Sequence, residues 1–207
     1  MNFKTLEEVN TDLLRLANGQ KTPLAIMMGL SGAGKSHLSA ELSKINPRLL
    51  TVSFDWWIKD PSNLRRAQIA RDYEKNGTMP NPLSWYDWEQ FKTDLTTLRS
   101  SGMLKRKGMW NQHTGEKDLA INLSLPKEGI ILVEGMYLME NGMDQLVDYV
   151  IIVLTEPDQA IRASSARRAQ PSENTYREVK ARWIREYDAP YIERYVNSAN
   201  AVIANEH

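Results

Sequence analysis

Hydrophobic positions along the chain fall into two kinds of run: short unbroken apolar stretches, and apolar residues spaced three or four apart. The unbroken stretches are Leu24-Ala25-Ile26-Met27-Met28, Ile130-Ile131-Leu132-Val133, Val150 to Leu154 and Ala201-Val202-Ile203-Ala204, while Leu49 to Phe54, interrupted by Thr51 and Ser53, reads as a further strand. Runs of this length without polar alternation predict strands covered on both faces. Phe3, Leu6, Val9, Leu13 and Leu16 have helical spacing, and Asn18-Gly19 ends that helix. Lys35 to Lys44 reads as a helix with Leu38 and Leu42 inward, and Asp158–Ala169 and Ser172–Tyr195 read as two more. Strands alternating with helices predict an α/β fold of three layers, a parallel sheet with helices on both sides.

Between Asp60 and Leu125 the alternation breaks. Asn63 to Lys75 predicts a helix, and Asn76-Gly77 with Pro80 and Pro82 a loop. A second helix is expected to open at Ser84, with Trp85, Trp88, Phe91, Leu95 and Leu98 on one face. Leu104 to Leu125 predicts a hairpin turning near Thr114-Gly115-Glu116. Residues 60–125 are therefore expected to be an insert carried by the main sheet, and 1–207 to be one domain. Only three residues follow the last strand, so a further domain after it is not expected.

The length of 207 residues agrees with one domain. With no cysteine, disulfides, thiolate metal sites and cysteine nucleophiles are excluded. Twenty-six basic and 26 acidic residues cancel, which gives no global attraction to nucleic acid or anionic membrane. The sequence has no apolar run of spanning length, and its start, MNFKTLEEVN, lacks the pattern of a signal peptide. A cytoplasmic protein is expected.

Specific chemistry enters at Gly29-Leu30-Ser31-Gly32-Ala33-Gly34-Lys35-Ser36, which matches the phosphate-loop pattern G-x-x-x-x-G-K-[ST] at every fixed position. It also lies where such a loop must, between an apolar strand and a helix. Glycines let the backbone curl until successive N–H groups face the phosphates, and the helix N-terminus adds positive potential. In this pattern Lys35 reaches the β- and γ-phosphates of ATP and the Ser36 hydroxyl binds Mg²⁺. His37 either extends the nucleotide-facing segment or is an ordinary helix residue.

Two carboxylates stand at strand ends, where open α/β sheets place their ligands. Asp55 follows the second strand and could take a proton from an attacking hydroxyl, or simply cap a turn. Glu134 ends the run Ile131-Leu132-Val133 and could hold Mg²⁺ or its water, or lie in a surface turn.

Together, GLSGAGKS, SFDWW, NPLSWYDWEQF, MWNQHTGE, ILVEGMYL and an Arg-rich helix occur in an order that resembles the uridine kinase–phosphoribulokinase group of P-loop kinases, from about Thr22 to the C-terminus. The resemblance implies ATP and Mg²⁺ as cofactors and a phosphoryl transfer to an alcohol. It implies Asp55 as the base, Glu134 as a metal-assisting group, and Arg162, Arg167 and Arg168 as a catalytic lid over the phosphates, at about residues 158–175. The segment SANAVIAN resembles a closing strand whose loop lies near the adenine. Uridine kinases usually carry Asp-Ser-Phe-Tyr where this chain has Asp55-Trp56-Trp57-Ile58, and a Tyr-Asp-Phe lead-in where it has Gly108 to Gln112. The lid also lacks their Arg-Gly-Arg. The first two differences fall on the acceptor side of the site.

There the resemblance places His113 in a base-contacting segment, against the alternative of a solvent-facing hairpin histidine. Trp56 and Trp110 belong to no helical stripe and could stack on a planar substrate. The resemblance approximately places Asp87 in an acceptor-binding helix, where it could receive a sugar hydroxyl, or it is an ordinary first-turn Asp of the helix opening at Ser84. Lys105-Arg106-Lys107 is either a solvated face or a contact for a nucleic-acid backbone. Three functions follow: a kinase of a small-molecule hydroxyl such as a nucleoside, a nucleic-acid kinase, and a non-catalytic nucleotide sensor. The partners expected are ATP and a small acceptor, with no membrane, and a homo-oligomer is compatible with the sequence.

Overall fold

The computed structural model describes residues 1–19, 22–77, 81–166 and 174–205. Strand β1 (Leu24–Gly29) lies at the centre of a five-stranded sheet, with all its residues buried. It pairs in parallel with β5 (Ile130–Gly135) on one side and β6 (Tyr149–Leu154) on the other. β2 (Leu49–Ser53) lies outside β5, and β7 (Ala201–Ala204) outside β6, both parallel. Burial on both faces explains the unbroken apolar runs. The order β2-β5-β1-β6-β7 sends the chain one way from β1 and the opposite way from β5. At such a reversal a crevice opens beyond the carboxyl ends of the strands.

Helix α1 (Leu6–Ala17) starts at a reciprocal cap between Thr5 and Glu8. Phe3, expected at its head, instead bridges to Val202 and is 56% exposed. α2 (Lys35–Ile45) follows the Gly-rich loop, and its Leu42 is fully buried. The region between β2 and β5 holds α3 (Ser62–Asn76), α4 (Trp88–Ser101) and an antiparallel hairpin of β3 (Met103–Met109) and β4 (Leu119–Ser124).

The helix expected to open at Ser84 opens later. Pro82–Trp85 is a 3₁₀ turn whose cap, Asn81, accepts the Leu83 N–H at 3.0 Å. Tyr86 is extended and bridges to Ile58, and Asp87 caps α4 by accepting the Gln90 N–H at 3.1 Å. Two polar caps in seven residues outcompete the aromatic spacing, so Trp85 leaves the stripe and packs on Trp183, with ring centroids 4.6 Å apart.

The long helix expected near the C-terminus is also divided. After α5 (Pro157–Ala166) come α6 (Asn174–Trp183), a π-helical turn (Ile184–Asp188) and α7 (Ala189–Val196). Pro190, in the first turn of α7, has no N–H to donate and would crowd the Glu186 carbonyl in a regular helix. Widening the preceding turn relieves that crowding. Among the described residues no helix is long and apolar enough to cross a membrane.

Candidate active site

The Gly-rich loop leaves β1 at the crevice. Gly32 and Gly34 hold φ of +97° and +87°, the left-handed region that glycine occupies without strain. A side chain on Gly32 would also meet the Ala160 carbonyl oxygen at 2.4 Å, so α5 packs directly against the loop. From the far edge, Asn205 donates its side-chain amide to the Ala33 carbonyl at 2.8 Å, tying the end of β7 to the loop. Lys35 folds back over the loop, with Nζ donating to the carbonyls of Gly29 at 2.8 Å and Leu30 at 3.1 Å.

The parallel register brings the acidic groups to the same level. Ser53 and Met27 flank Glu134 across the sheet, so the residues that follow β2 lie beside the end of β5. Ser36 Oγ donates to Glu134 Oε2 at 3.2 Å. A hydroxyl and a carboxylate oxygen this close fit a Mg²⁺ that keeps most of its ligands from water and phosphate oxygens. Among the described residues no group of three or more His, Asp or Glu side chains is arranged to hold a metal.

Asp55 lies in the 3₁₀ turn Phe54–Trp57, where the Tyr86 hydroxyl donates to its Oδ1 at 3.3 Å. Burial, and secondly the Asp55 charge, push the Tyr86 phenol well above its ordinary range, so it remains a donor. The turn is clamped from both sides. Trp56 O accepts the Trp110 N–H from the hairpin at 3.0 Å, and Trp57 O accepts the Asp87 N–H at 2.8 Å. Gly135 makes room for it, since a side chain there would meet Phe54 Cβ at 2.7 Å.

One cavity collects Ser31, Gly32, Lys35, Ser36, Asp55 and Glu134. Its other wall comes from the insert, the segment just after β5 and the C-terminal helices, including Arg65, Trp85, Tyr86, Trp110, Gln112, Tyr137, Lys180, Trp183 and Asp188. A second cavity, sharing Ser36, Asp55, Trp110, Gln112 and Glu134, is lined also by Trp56.

Other expected site residues lie elsewhere. His113 is exposed in the hairpin turn and its neighbour Gln112 lines the cavities instead. His37 is exposed on α2, and Asp87 serves as the α4 cap. Arg162 is exposed on α5, while Arg167, Arg168 and residues 169–173 of the expected lid lie outside the described residues. Of the basic run, Arg106 turns inward and donates Nε to the buried Asp94 at 2.9 Å, leaving Lys105 and Lys107 exposed. That alternation is the ordinary period of a strand.

Sequence reasoning missed Asp188. It is 7% exposed, ends the π-helical turn and lines the cavity. The Tyr137 hydroxyl donates to Asp188 Oδ1 and accepts from Trp183 Nε1 at 3.1 Å. Tyr137 itself holds φ of +62°, uncommon for a side chain of its size. Burial pushes the Asp188 carboxyl up to about 6, against the opposing pull of the Tyr137 hydrogen bond and the charges of Lys35 and Lys180. Only the π turn marks the place, and Pro190 was its one legible signal.

No protein-family model matches the sequence, and a comparison with curated proteins finds no match. The fold, however, is shared with solved kinases. A possible uridine kinase from Bacillus stearothermophilus superposes with a TM-score of 0.58 at 16% identity, covering 95% of this chain and 99% of that one. D-glycerate 3-kinase from Cryptococcus neoformans gives 0.56 at 13% identity, over 88% of this chain and 87% of that one. Phosphoribulokinase from Rhodobacter spheroides gives 0.55 at 13% identity, over 86% and 66%. The chain thus has the three-layer α/β fold of these proteins.

Proposed function

We propose that the protein is an ATP-dependent kinase that transfers the γ-phosphoryl group to a hydroxyl of a small molecule. The observation that carries this reading is the meeting of Lys35, Ser36, Glu134 and Asp55 around one cavity at the end of the Gly-rich loop. The triphosphate lies on the backbone N–H groups of residues 29–36, and Lys35 exchanges its loop carbonyls for β- and γ-phosphate oxygens. Ser36 and Glu134 would hold Mg²⁺, which when bound neutralises charge on the phosphates. The acceptor oxygen forms a bond to the γ-phosphorus as the bond from that phosphorus to the β,γ-bridging oxygen breaks. ADP leaves with the bridging oxygen, and the hydroxyl proton passes to Asp55, oriented by Tyr86.

The structural neighbours support the class of reaction, because those described as phosphoribulokinase and D-glycerate 3-kinase carry small hydroxylated acceptors in their names. In this reading residues 60–125 wall the acceptor side, and residues 158–175, with Arg162, Arg167 and Arg168, close over the phosphates to exclude water. Lys35→Ala is expected to abolish transfer from labelled ATP and to weaken ATP binding. Lys35→Arg is expected to fail too, since a planar guanidinium replaces a compact ammonium. Near wild-type turnover by Lys35→Ala would contradict the assignment.

A further inference from the structure

We infer that the acceptor carries a second hydrogen-bond donor besides its reacting hydroxyl, as a polyol or an amino alcohol does, and that Asp188 binds it; this rests on the kinase reading of the same cavity. Asp188 is a buried carboxylate to which the transfer chemistry gives no task, and it lines the cavity together with Asp55. Its partners leave room for a ligand. Oδ1 accepts from the Tyr137 hydroxyl, and the Trp183 indole N–H, which donates to that hydroxyl at 3.1 Å, also favours the charged carboxylate. An ionised carboxylate accepts at about four positions, so these neighbours leave about half of them open, and no other described residue donates to it. Tyr137 reaches Asp188 from a backbone held at φ of +62°, a cost that the surrounding structure must sustain. The carboxylate is thereby held in place.

Its position selects what it can bind. Burial first, then the charge of Asp55 and, more weakly, that of Asp188 push the Tyr86 phenol up, so both carboxylates lie within electrostatic reach of one hydroxyl. That hydroxyl donates to Asp55 at 3.3 Å. A small molecule whose reacting hydroxyl meets Asp55 thus has its other groups beside Asp188, across the same cavity. Burial pushes the Asp188 carboxyl up, and the Tyr137 hydrogen bond, with the charges of Lys35 and Lys180, holds it to about 6. At pH 7 it is mostly ionised and only accepts, so it matches an O–H or N–H. An open position on a buried carboxylate is costly to leave unfilled. Serving Tyr137 alone would need no charge, since an asparagine oxygen accepts from a phenol without the desolvation that an ionised carboxylate suffers.

The test uses matched acceptors that keep one primary hydroxyl and change one other group. Propane-1,2-diol and 2-aminopropan-1-ol are compared with 2-fluoropropan-1-ol and propan-1-ol, and uridine and 3′-amino-3′-deoxyuridine with 2′,3′-dideoxyuridine. With labelled ATP, the members bearing a second donor are expected to have at least about tenfold higher kcat/KM, and the hydroxyl and amine members separate the two kinds of donor. Asp188→Asn keeps an oxygen for Tyr137 but no longer offers a carboxylate to the ligand. It is expected to raise KM for the donor-bearing members about 10–100-fold and to erase the preference. Tyr137→Phe lets the carboxylate turn and should lie between. Equal kcat/KM with and without the second donor overturns the inference and needs no variant, so it decides the matter even where a variant does not fold. A preference that survives in Asp188→Asn also overturns it. Either result leaves the kinase reading intact, whereas transfer to none of the acceptors overturns both.

Discussion

Asp188 holds its charge at a cost to folding, and the sign of that cost can be measured. Its carboxyl is pushed up to about 6 by burial, above the ordinary 3.8, so the native state binds the proton more tightly than the unfolded chain. The resulting stabilisation is fully present below about pH 4 and is lost as pH rises through about 6. Asp188→Asn keeps an oxygen that accepts from Tyr137 but never ionises. The variant is therefore expected to be about 1–3 kcal/mol more stable than wild type at pH 7 and nearly equal to it at pH 4, in urea titrations at both. It should also lose kcat/KM, because a buried carboxylate in the cavity wall is the kind of group a site retains against stability. Identical pH dependence in the two proteins would show that Asp188 is not carrying the shift.

At the level of elements, one buried carboxylate ties the hairpin to α4 and to the turn that carries Asp55. Asp94 of α4 is fully buried and accepts from Trp57 Nε1 at 3.0 Å, Gln90 Nε2 at 2.8 Å and Arg106 Nε at 2.9 Å. It thereby joins the Asp55 turn, α4 and β3. Asp94→Ala strands the buried Trp57 N–H and unpairs Arg106, whose side chain is 38% exposed and so recovers part of its hydration. A loss of about 2–4 kcal/mol in chemical denaturation is expected, with ATP affinity nearly unchanged. A cost below about 0.5 kcal/mol would mean that the network does not hold the insert in place. Nothing in the spacing of Lys105-Arg106-Lys107 distinguishes such an anchor from a surface charge, because the partner is set by tertiary packing.

Across the whole molecule, what could be read from the sequence was what repeats locally or lies within one stretch of chain. Doubly covered strands such as Ile130–Val133 are continuous apolar runs, and the Gly29–Ser36 loop carries its chemistry in eight consecutive residues. That Asp55 and Glu134 face the cavity was legible because a strand end in an open sheet already faces the crevice. The opposite wall of the cavity was not, since Tyr137 meets Trp183 and Asp188 across 46 and 51 residues of chain, beside a π turn that periodicity does not announce. His113 and Gln112 differ by one position in a turn, a distinction periodicity does not resolve. In the proposed function these pieces form a site for phosphoryl transfer with Asp55 as its base. Asp55→Asn tests it most directly, by measuring kcat, ATP affinity and Mg²⁺ dependence on one variant. Asparagine preserves shape and can still accept from Tyr86 but cannot take the hydroxyl proton, so kcat should fall about 10²–10⁴-fold with ATP affinity little changed. A kcat within about threefold of wild type, or a loss rescued by added Mg²⁺, would contradict the assignment of Asp55 as base.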